Sequence, residues 1–152
     1  GADLVQCGDS LASLDMISPK MYEEFVFPRH QKVVQAWKAH GGKTMLHICG
    51  DNSRVMGLYA RVGYDLIELD SKVSLAEARK IVGTRAALIG NLDPVHVILR
   101  GSVELVRKKA EEAIQAAGTK GFILGIGCEA PLDTPPENIK ALVEVARNTP
   151  GH

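Results

Sequence analysis

Three side chains of the kinds that bind zinc stand at the ends of two predicted strands. His47 and Cys49 belong to a His-Ile-Cys-Gly run, and Cys128 lies far downstream in a Gly-Cys-Glu run. Because residues i and i+2 of a strand point to the same face, the His47 imidazole and the Cys49 thiol can converge on one ion without distorting the backbone. Cys128 would complete the set from elsewhere in the fold, so this pattern predicts a metal site.

The donor set indicates a catalytic zinc ion more than a structural one. Two thiolates and one imidazole suit Zn²⁺, and three protein ligands leave the fourth tetrahedral position open. The alternative is that both cysteines are buried thiols and the histidine is a hydrogen-bonded core residue, since free cysteine is among the most buried residue types. A zinc finger has little support because the chain contains no pair of Cys-x-x-Cys motifs.

Polar residues that follow other predicted strands are candidates for the same site. We assign catalytic roles to Asp70 and Asp9 and a cofactor contact to Asn91. Asp70 could accept a hydrogen bond from the ligand imidazole or act as an exchangeable fourth ligand, with Glu68 as a weaker substitute of the same strand parity. Asp9 precedes Ser10 and suits a substrate contact. A helix cap is the alternative role for either aspartate.

The remaining reactive side chains are assigned structural roles. They are His30 and His40 on a surface-facing helix around Trp37, His96 in a short helix after the capping residue Asp93, and the terminal His152. Glu129 adjoins Cys128 and could touch the site, but a solvated loop position is the favoured interpretation. Cys7 shares the strand parity of Asp9 and could face the interior of a barrel, but a buried inert thiol is the favoured interpretation.

The composition is that of an ordinary globular protein. Among 152 residues, 45% are hydrophobic, and 18 Lys and Arg balance 18 Asp and Glu. This neutrality and an aromatic content of 5% argue against a nucleic-acid partner. The absence of a long apolar run argues against membrane insertion, and the odd number of cysteines fits a reducing compartment. We therefore expect a cytoplasmic protein.

Short apolar runs alternate with amphipathic stretches along the chain, which predicts an α/β fold with parallel strands. The predicted strands are Asp3 to Gln6, Thr44 to Ile48, Leu66 to Leu69, Ala86 to Ile89 and Phe122 to Ile126. The predicted helix signals are Ser18-Pro19, a break or restart at Pro28 before a helix from Arg29 to Ala39, capping boxes at Ser74 and Thr134, and a long helix from Ser102 to Gly118.

Nearly every predicted strand ends in a polar residue, which favours a ring of βα units over an open sheet with a single ligand crevice. A complete TIM-type barrel needs eight strands and typically about 250 residues. Five units therefore predict the C-terminal part of such a barrel, a single domain over residues 1–152 that lacks three βα units. The two open sheet edges would favour pairing, including a homo-oligomer.

The chain resembles the uroporphyrinogen decarboxylase superfamily over essentially its whole length. The matching segments are Gly1 to Ser10, Ser18-Pro19 with Phe25 and Pro28, His47 to Gly50, Leu69-Asp70, Gly90 to Pro94, Gly121 to Leu124, and Thr134-Pro135 with Glu137 to Ile139. This resemblance implies a TIM-type barrel whose active site lies at the carboxyl ends of its strands.

Two chemistries occur in that superfamily, and the resemblance is closest to the corrinoid-dependent methyltransferases. These enzymes use a zinc ion held by a His-x-Cys pair and a later cysteine, which His47, Cys49 and Cys128 match. The haem-synthesis decarboxylases carry a His-Gly pair in the position of Cys128 and lack the His-x-Cys-Gly run. The resemblance thus implies a zinc cofactor, a methylcobamide donor carried by a partner corrinoid protein, and a small thiol acceptor.

We therefore expect a zinc-dependent transfer of a methyl group from a methylated corrinoid to a thiol such as coenzyme M. Coordination to zinc deprotonates a thiol whose free pKa of about 8.5 makes it a poor nucleophile at neutral pH. The alternatives are a uroporphyrinogen decarboxylase-like lyase and a non-catalytic zinc-binding barrel fragment. The identity of the acceptor, whether coenzyme M, another thiol or a folate, stays open.

Overall fold

The computed structural model describes residues 1–151, which form five parallel strands that alternate with helices. The strands are β1 (Leu4–Gly8), β2 (Lys43–Ile48), β3 (Leu66–Leu69), β4 (Ala87–Leu92) and β5 (Phe122–Ile126). They form one sheet in the order β1-β2-β3-β4-β5, and each strand pairs in parallel with its neighbours. Sequential neighbours throughout are what the wall of a barrel requires.

Helices connect successive strands and follow the last one. They are α1 (Pro19–Met21), α2 (Phe27–Ala39), α3 (Met56–Val62), α4 (Leu75–Val82), α5 (Val103–Ala117) and α6 (Pro136–Asn148). A π-helical segment, Tyr22–Val26, joins α1 to α2, and a second, Pro94–Leu99, follows β4. Short 3₁₀ turns cover Ser10–Ala12 and Ser53–Val55. Within residues 1–151, every helix is too short or too polar to cross a bilayer.

The strand predictions are confirmed with small differences at the ends. β3 and β5 have the predicted bounds, whereas β4 continues beyond Ile89 through Gly90 and Asn91 to Leu92. Glycine and asparagine are depleted in strands, so the sequence pattern ends too early. Pairing with β5, where Asn91 lies opposite Gly125, carries the strand onward.

Three of the predicted helix starts are confirmed by capping contacts. The hydroxyls of Ser18, Ser74 and Ser102 each accept a hydrogen bond from the backbone amide three residues later. The restart near Pro28 is also found, because α2 begins at Phe27 after the wider π-helical turn. Pro28 lies in the first turn of α2, where a missing amide hydrogen is tolerated.

The predicted capping box at Thr134 is wrong. Helix α6 begins at Pro136, its N-cap residue is Pro135, and no side chain caps it. A residue that precedes a proline is disfavoured in the helical conformation, so Pro135 stays extended and the helix starts one residue late. The Thr134 hydroxyl is buried without a hydrogen-bond partner among the described residues.

The two faces of the sheet differ in burial. The helix face carries Leu46, Ile67 and Leu88, each fully buried against the helices. The opposite face, here called the inner face, carries Met45, His47 and Glu68 in alternate positions. It is more open, since His47 and Glu68 side chains keep 12% and 21% exposure. The core therefore lies between the sheet and the helices, and the reactive residues lie on the inner face of the sheet.

Candidate metal centre

The three predicted zinc ligands converge at the carboxyl end of the inner face. His47 Nε2 lies 3.2 Å from Cys49 Sγ, the two sulfurs of Cys49 and Cys128 lie 3.9 Å apart, and Cys128 Sγ lies 3.9 Å from His47 Nε2. Standard bond lengths in a tetrahedral zinc site give about 3.8 Å between two sulfurs and about 3.6 Å between sulfur and nitrogen. The donor set and its spacing therefore fit one zinc ion with a fourth position left for another ligand.

Strand pairing explains why ligands that are 79 residues apart in sequence meet. His47 is the fifth residue of β2 and Cys49 follows that strand directly, so both point to the inner face. Cys128 follows β5, and the amide of the preceding Gly127 donates to Leu92 O at the end of β4. A Cβ atom at Gly127 would lie 2.5 Å from Ser71 N, so only glycine lets this segment pass so close to the loop after β3.

Glu68 is the carboxylate that lies beside the ligand imidazole. Its Oε2 is 3.0 Å from His47 Nδ1, although the contact departs from the direction of a linear hydrogen bond. This carboxylate is the main cause that raises the pKa of His47 to about 9, while burial opposes it. A proton on Nδ1 leaves Nε2 free to bind the metal. The sequence suggested Asp70 first for this contact and Glu68 only as a substitute.

The two cysteines differ in acidity. The Ser10 hydroxyl, 3.4 Å from Cys49 Sγ, is the main cause that lowers the pKa of Cys49, with help from His47 and Cys128. Burial raises the pKa of Cys128, and the neighbouring Cys49 sulfur raises it further. Ser10 appears in the sequence only as the neighbour of Asp9, and its contact with a ligand is a feature that the structure adds.

Asp70 and Asn91 hold loops at the rim of the site. Asp70 accepts hydrogen bonds from the amides of Gly50 at 2.8 Å and Lys72 at 2.9 Å. Asn91 donates its side-chain amide to Asp70 O at 2.9 Å and Val73 O at 2.7 Å. These contacts show structural roles for both residues. The catalytic assignment of Asp70 and the cofactor contact of Asn91 stay predictions.

Asp9 faces the helices instead of the metal ligands. Its Oδ2 lies 3.2 Å from Nε2 of His30, whose Nδ1 lies 3.3 Å from the Tyr22 hydroxyl. His30 is only 4% exposed, so its predicted place on a surface-facing helix is wrong. Burial is the main cause that lowers the pKa of His30, and Asp9 opposes the shift. A catalytic role for Asp9 stays a prediction.

Cys7 also lies on the helix side, with its sulfur 4.0 Å from His30 Nε2. The suggestion that it faces the barrel interior is therefore wrong, and its partial burial agrees with a structural thiol. His40 and His96 are exposed, as expected for residues without a site role. His152 lies outside the described residues.

A cavity of about 480 Å³ opens beside the three ligands. Its lining residues are Gln6, Ser10, Met45, His47, Cys49, Glu68, Cys128 and Glu129. Gln6 was not expected there. The sequence suggested that Cys7 could face the interior, whereas in the structure Cys7 faces the helices and the neighbouring Gln6 faces the cavity. The exposed Glu129 reaches the cavity wall as well as solvent. The arrangement can hold a metal ion with a small second ligand above it.

Comparison with known proteins identifies similar chains of two activities. The model of a family described as uroporphyrinogen decarboxylase (URO-D) matches residues 1–149. Methylcobamide:CoM methyltransferase MtbA of Methanosarcina mazei is 34% identical over 148 residues, which cover 97% of this chain and 42% of that protein. Uroporphyrinogen decarboxylase of Hordeum vulgare is 33% identical over 148 residues, 97% of this chain and 44% of that protein.

A solved structure described as a methyltransferase from Methanosarcina mazei has the same fold. It superimposes with a TM-score of 0.87 at 32% identity and covers 97% of this chain, which spans 42% of that protein. The chain thus spans about two fifths of the length of the relatives that it matches. The predicted α/β architecture is confirmed, and the five strands form part of a TIM-type barrel.

Proposed function

Because this chain belongs to the uroporphyrinogen decarboxylase family, we propose that it provides the zinc centre of a methyltransferase that passes a methyl group from a methylated corrinoid to a thiol. The observation that carries the proposal is the meeting of one imidazole and two thiol sulfurs at 3.2–3.9 Å. The similarity to methylcobamide:CoM methyltransferases supports it. In this proposal a small thiol is the acceptor, with coenzyme M as one candidate.

A zinc ion held by His47, Cys49 and Cys128 would stabilise the thiolate form of the acceptor. The two ligand cysteines would carry charges that offset the charge of Zn²⁺. The acceptor sulfur would therefore keep electron density for attack on a methyl carbon, which suits alkyl transfer better than Lewis-acid hydrolysis.

The chain's own residues would prepare the site for that reaction. Glu68 holds the Nδ1 side of His47, so that Nε2 points to the ligand position. The Ser10 hydroxyl favours the ionised form of Cys49. The cavity beside the ligands leaves room for an acceptor to enter and for a methyl donor to approach from the strand ends. The protein would contribute positioning, and the difficult carbon chemistry would belong to the corrinoid.

The donor in this proposal is a methylcobamide carried by a partner corrinoid protein that meets the carboxyl ends of the strands. We propose a cytoplasmic location, in keeping with thiols that serve as metal ligands. Pairing of copies through the sheet edges also stays a proposal, since β1 and β5 are the two end strands of the described sheet.

A decarboxylase is the second candidate, because uroporphyrinogen decarboxylases match this chain at nearly the same identity as the methyltransferases. The ligand set supports the methyltransferase. A decarboxylase would have no need for three metal donors within 4.8 Å of one another. Decarboxylation of uroporphyrinogen by a chain that includes the whole barrel, with no effect of zinc removal, would favour this second candidate.

Zinc content and methyl transfer test the leading proposal. We expect one zinc ion per chain in protein purified under reducing conditions, and loss of that zinc in Cys128→Ala. Cys7→Ala is the matched control, because Cys7 is the remaining cysteine and lies on the helix side. In a chain that includes the whole barrel, methylcobalamin-dependent methylation of a thiol should fall with Cys128→Ala and persist with Cys7→Ala. If wild type is prepared with zinc available and still binds none, the proposal is contradicted.

A further inference from the structure

Asn52 is a buried polar side chain beside the turn that carries Cys49, and the proposed function does not use it. Its exposed fraction is 1%. The side-chain nitrogen lies 3.0 Å from the carbonyl oxygens of Ile48 and Cys49 and 3.1 Å from that of Gly50. Its side-chain oxygen accepts a hydrogen bond from Leu14 N at 3.1 Å. One amide group thus contacts three successive carbonyls and an amide from a distant loop.

These contacts fix the backbone of the turn that follows Cys49. Gly50 adopts a φ of +90°, and a Cβ atom there would lie 2.6 Å from Asp15 Oδ2 and Ser13 Oγ. β2 ends at Ile48, and the chain turns away from the sheet at Gly50. A buried carbonyl without a partner is costly, so the Asn52 amide stabilises this one path of the chain over others.

Asn52 also joins the two segments that meet at the Cys49 sulfur. One is the turn itself, and the other is the loop from Ser10 to Leu14, which Asn52 holds through the amide of Leu14. Ser10 Oγ lies 3.4 Å from Cys49 Sγ. The position of Cys49 and the position of the Ser10 hydroxyl beside it thus depend on the same buried side chain.

We propose that Asn52 is a positioning residue for the metal site, which sets the direction of Cys49 and its distance from Ser10 without touching the metal. This inference rests on the proposed zinc centre. Residues that orient metal ligands typically change metal affinity 10- to 100-fold when they are replaced. Loss of the Asn52 amide should therefore weaken zinc binding while all three ligands remain.

The chain offers a matched control in Asn138. This asparagine is 2% exposed, and its side-chain nitrogen donates to Ile98 O and Gly101 O, both at 2.9 Å. It braces the connection between β4 and α5 in the same way, but it contacts none of the three ligands. Asn138→Ala should thus reproduce the loss of a buried amide without the loss of ligand position.

The experiment compares Asn52→Ala, Asn138→Ala and wild type for zinc affinity, by competition with a chromogenic chelator, and for the thiolate-to-metal absorption band of the cobalt-loaded protein. Circular dichroism and urea unfolding confirm that each variant is folded. We expect one metal per chain in all three, zinc affinity about 10- to 100-fold weaker in Asn52→Ala, and a shifted cobalt band in that variant alone. If the alanine variants do not fold, Asn52→Ser and Asn138→Ser take their place, because serine supplies a small polar group.

Three outcomes would overturn the inference. Equal zinc affinity and an unchanged cobalt band in a folded Asn52 variant would show that the amide does not position the ligand. Equal losses in the Asn52 and Asn138 variants would assign the effect to general destabilisation. A wild-type protein that binds no zinc would instead overturn the proposed metal centre, which separates the failure of the function from the failure of the positioning role.

Discussion

Two histidines of this protein each have a carboxylate partner, yet their surroundings shift their pKa values in opposite directions. His30 lies 3.2 Å from Asp9 on the helix side of the sheet, and His47 lies 3.0 Å from Glu68 on the inner face. The pKa of His30 is lowered because burial outweighs the carboxylate. The pKa of His47 is raised to about 9 because the carboxylate outweighs burial. A carboxylate at hydrogen-bond distance therefore does not by itself determine what a histidine does.

The difference lies in the remaining contacts of the two rings. His30 packs edge-on against the rings of Tyr22 and Tyr64, and its second nitrogen faces the Tyr22 hydroxyl. Both nitrogens are thus committed within the core. Nε2 of His47 faces two sulfurs and an open cavity. The first ring has both nitrogens in contacts within the core, whereas the second keeps Nε2 beside the cavity, where the proposed zinc ion would bind.

The largest expected effect is on metal binding by the inner histidine. His47→Ala removes one of three ligands, so we expect zinc affinity to fall by more than the roughly 100-fold that replacement of an orienting partner causes. His30→Ala should leave zinc affinity unchanged in the folded protein. Chelator competition measures both. Similar losses in the two variants would break the distinction between a structural ring and a metal-binding ring.

The second effect is on stability, and the order of the two variants reverses. His30→Ala leaves the Tyr22 hydroxyl without its partner in the core and creates a cavity, which should cost roughly 2–4 kcal/mol in the free energy of unfolding. Above pH 9, where the contribution of its raised pKa is lost, His47→Ala should change the stability of the metal-free protein far less, because its ring lies on the more open inner face. Urea unfolding in the presence of a chelator tests this, and a larger loss for His47→Ala would contradict it.

The inner histidine could be predicted from sequence, whereas the buried one could not. His47 stands two residues before Cys49 at the end of an apolar run, so strand alternation alone places both on one face. His30 lies on α2, where many polar residues make it hard to recognise from sequence which face of the helix is buried. Its partner Asp9 is 21 residues earlier and comes into contact only when β1 and α2 pack together.

The choice between Glu68 and Asp70 shows a similar limit of sequence reasoning. Both have the same strand parity, so alternation cannot distinguish them. The structure does so because Asp70 lies past the end of β3, where it binds the amides of Gly50 and Lys72, while Glu68 pairs across the sheet with His47. Strand register, which depends on the whole sheet, decides which carboxylate reaches the imidazole.

The third effect is a pair of opposite pH dependences in the metal-free protein. The folded-state pKa of His47, about 9, exceeds the ordinary value of 6.5, so its contribution to stability is complete below pH 6.5 and is lost as pH rises to 9. The folded-state pKa of His30 is below 6.5, so its contribution is present above pH 6.5 and is lost as pH falls.

Unfolding free energies of wild type, His30→Gln and His47→Gln across pH 5 to pH 10 would measure these contributions, each with a chelator present. The His47 variant should lose less stability than wild type between pH 6.5 and pH 9, and the His30 variant should lose less below pH 6.5. Parallel pH profiles for all three proteins would show that the two rings do not differ in the stated way.

The smallest expected effect concerns Ser10, which links the two regions because it follows Asp9 in sequence and contacts Cys49 in space. Ser10→Ala removes one hydrogen bond to a thiolate, so zinc affinity should fall about two- to tenfold. The hydroxyl lowers the pKa of Cys49, and without it zinc must displace a more tightly held proton. The loss should thus be greater at pH 6 than at pH 9.

Ser102→Ala is the control for this change, since its hydroxyl caps α5 and touches no ligand. Titration of zinc into both variants at several pH values separates two explanations of a weaker site. A loss that disappears as pH rises would assign it to the acidity of Cys49. A loss that is equal at every pH would mean that Ser10 acts only by holding its loop against the ligand turn, and the inner face would then owe its chemistry to geometry more than to electrostatics.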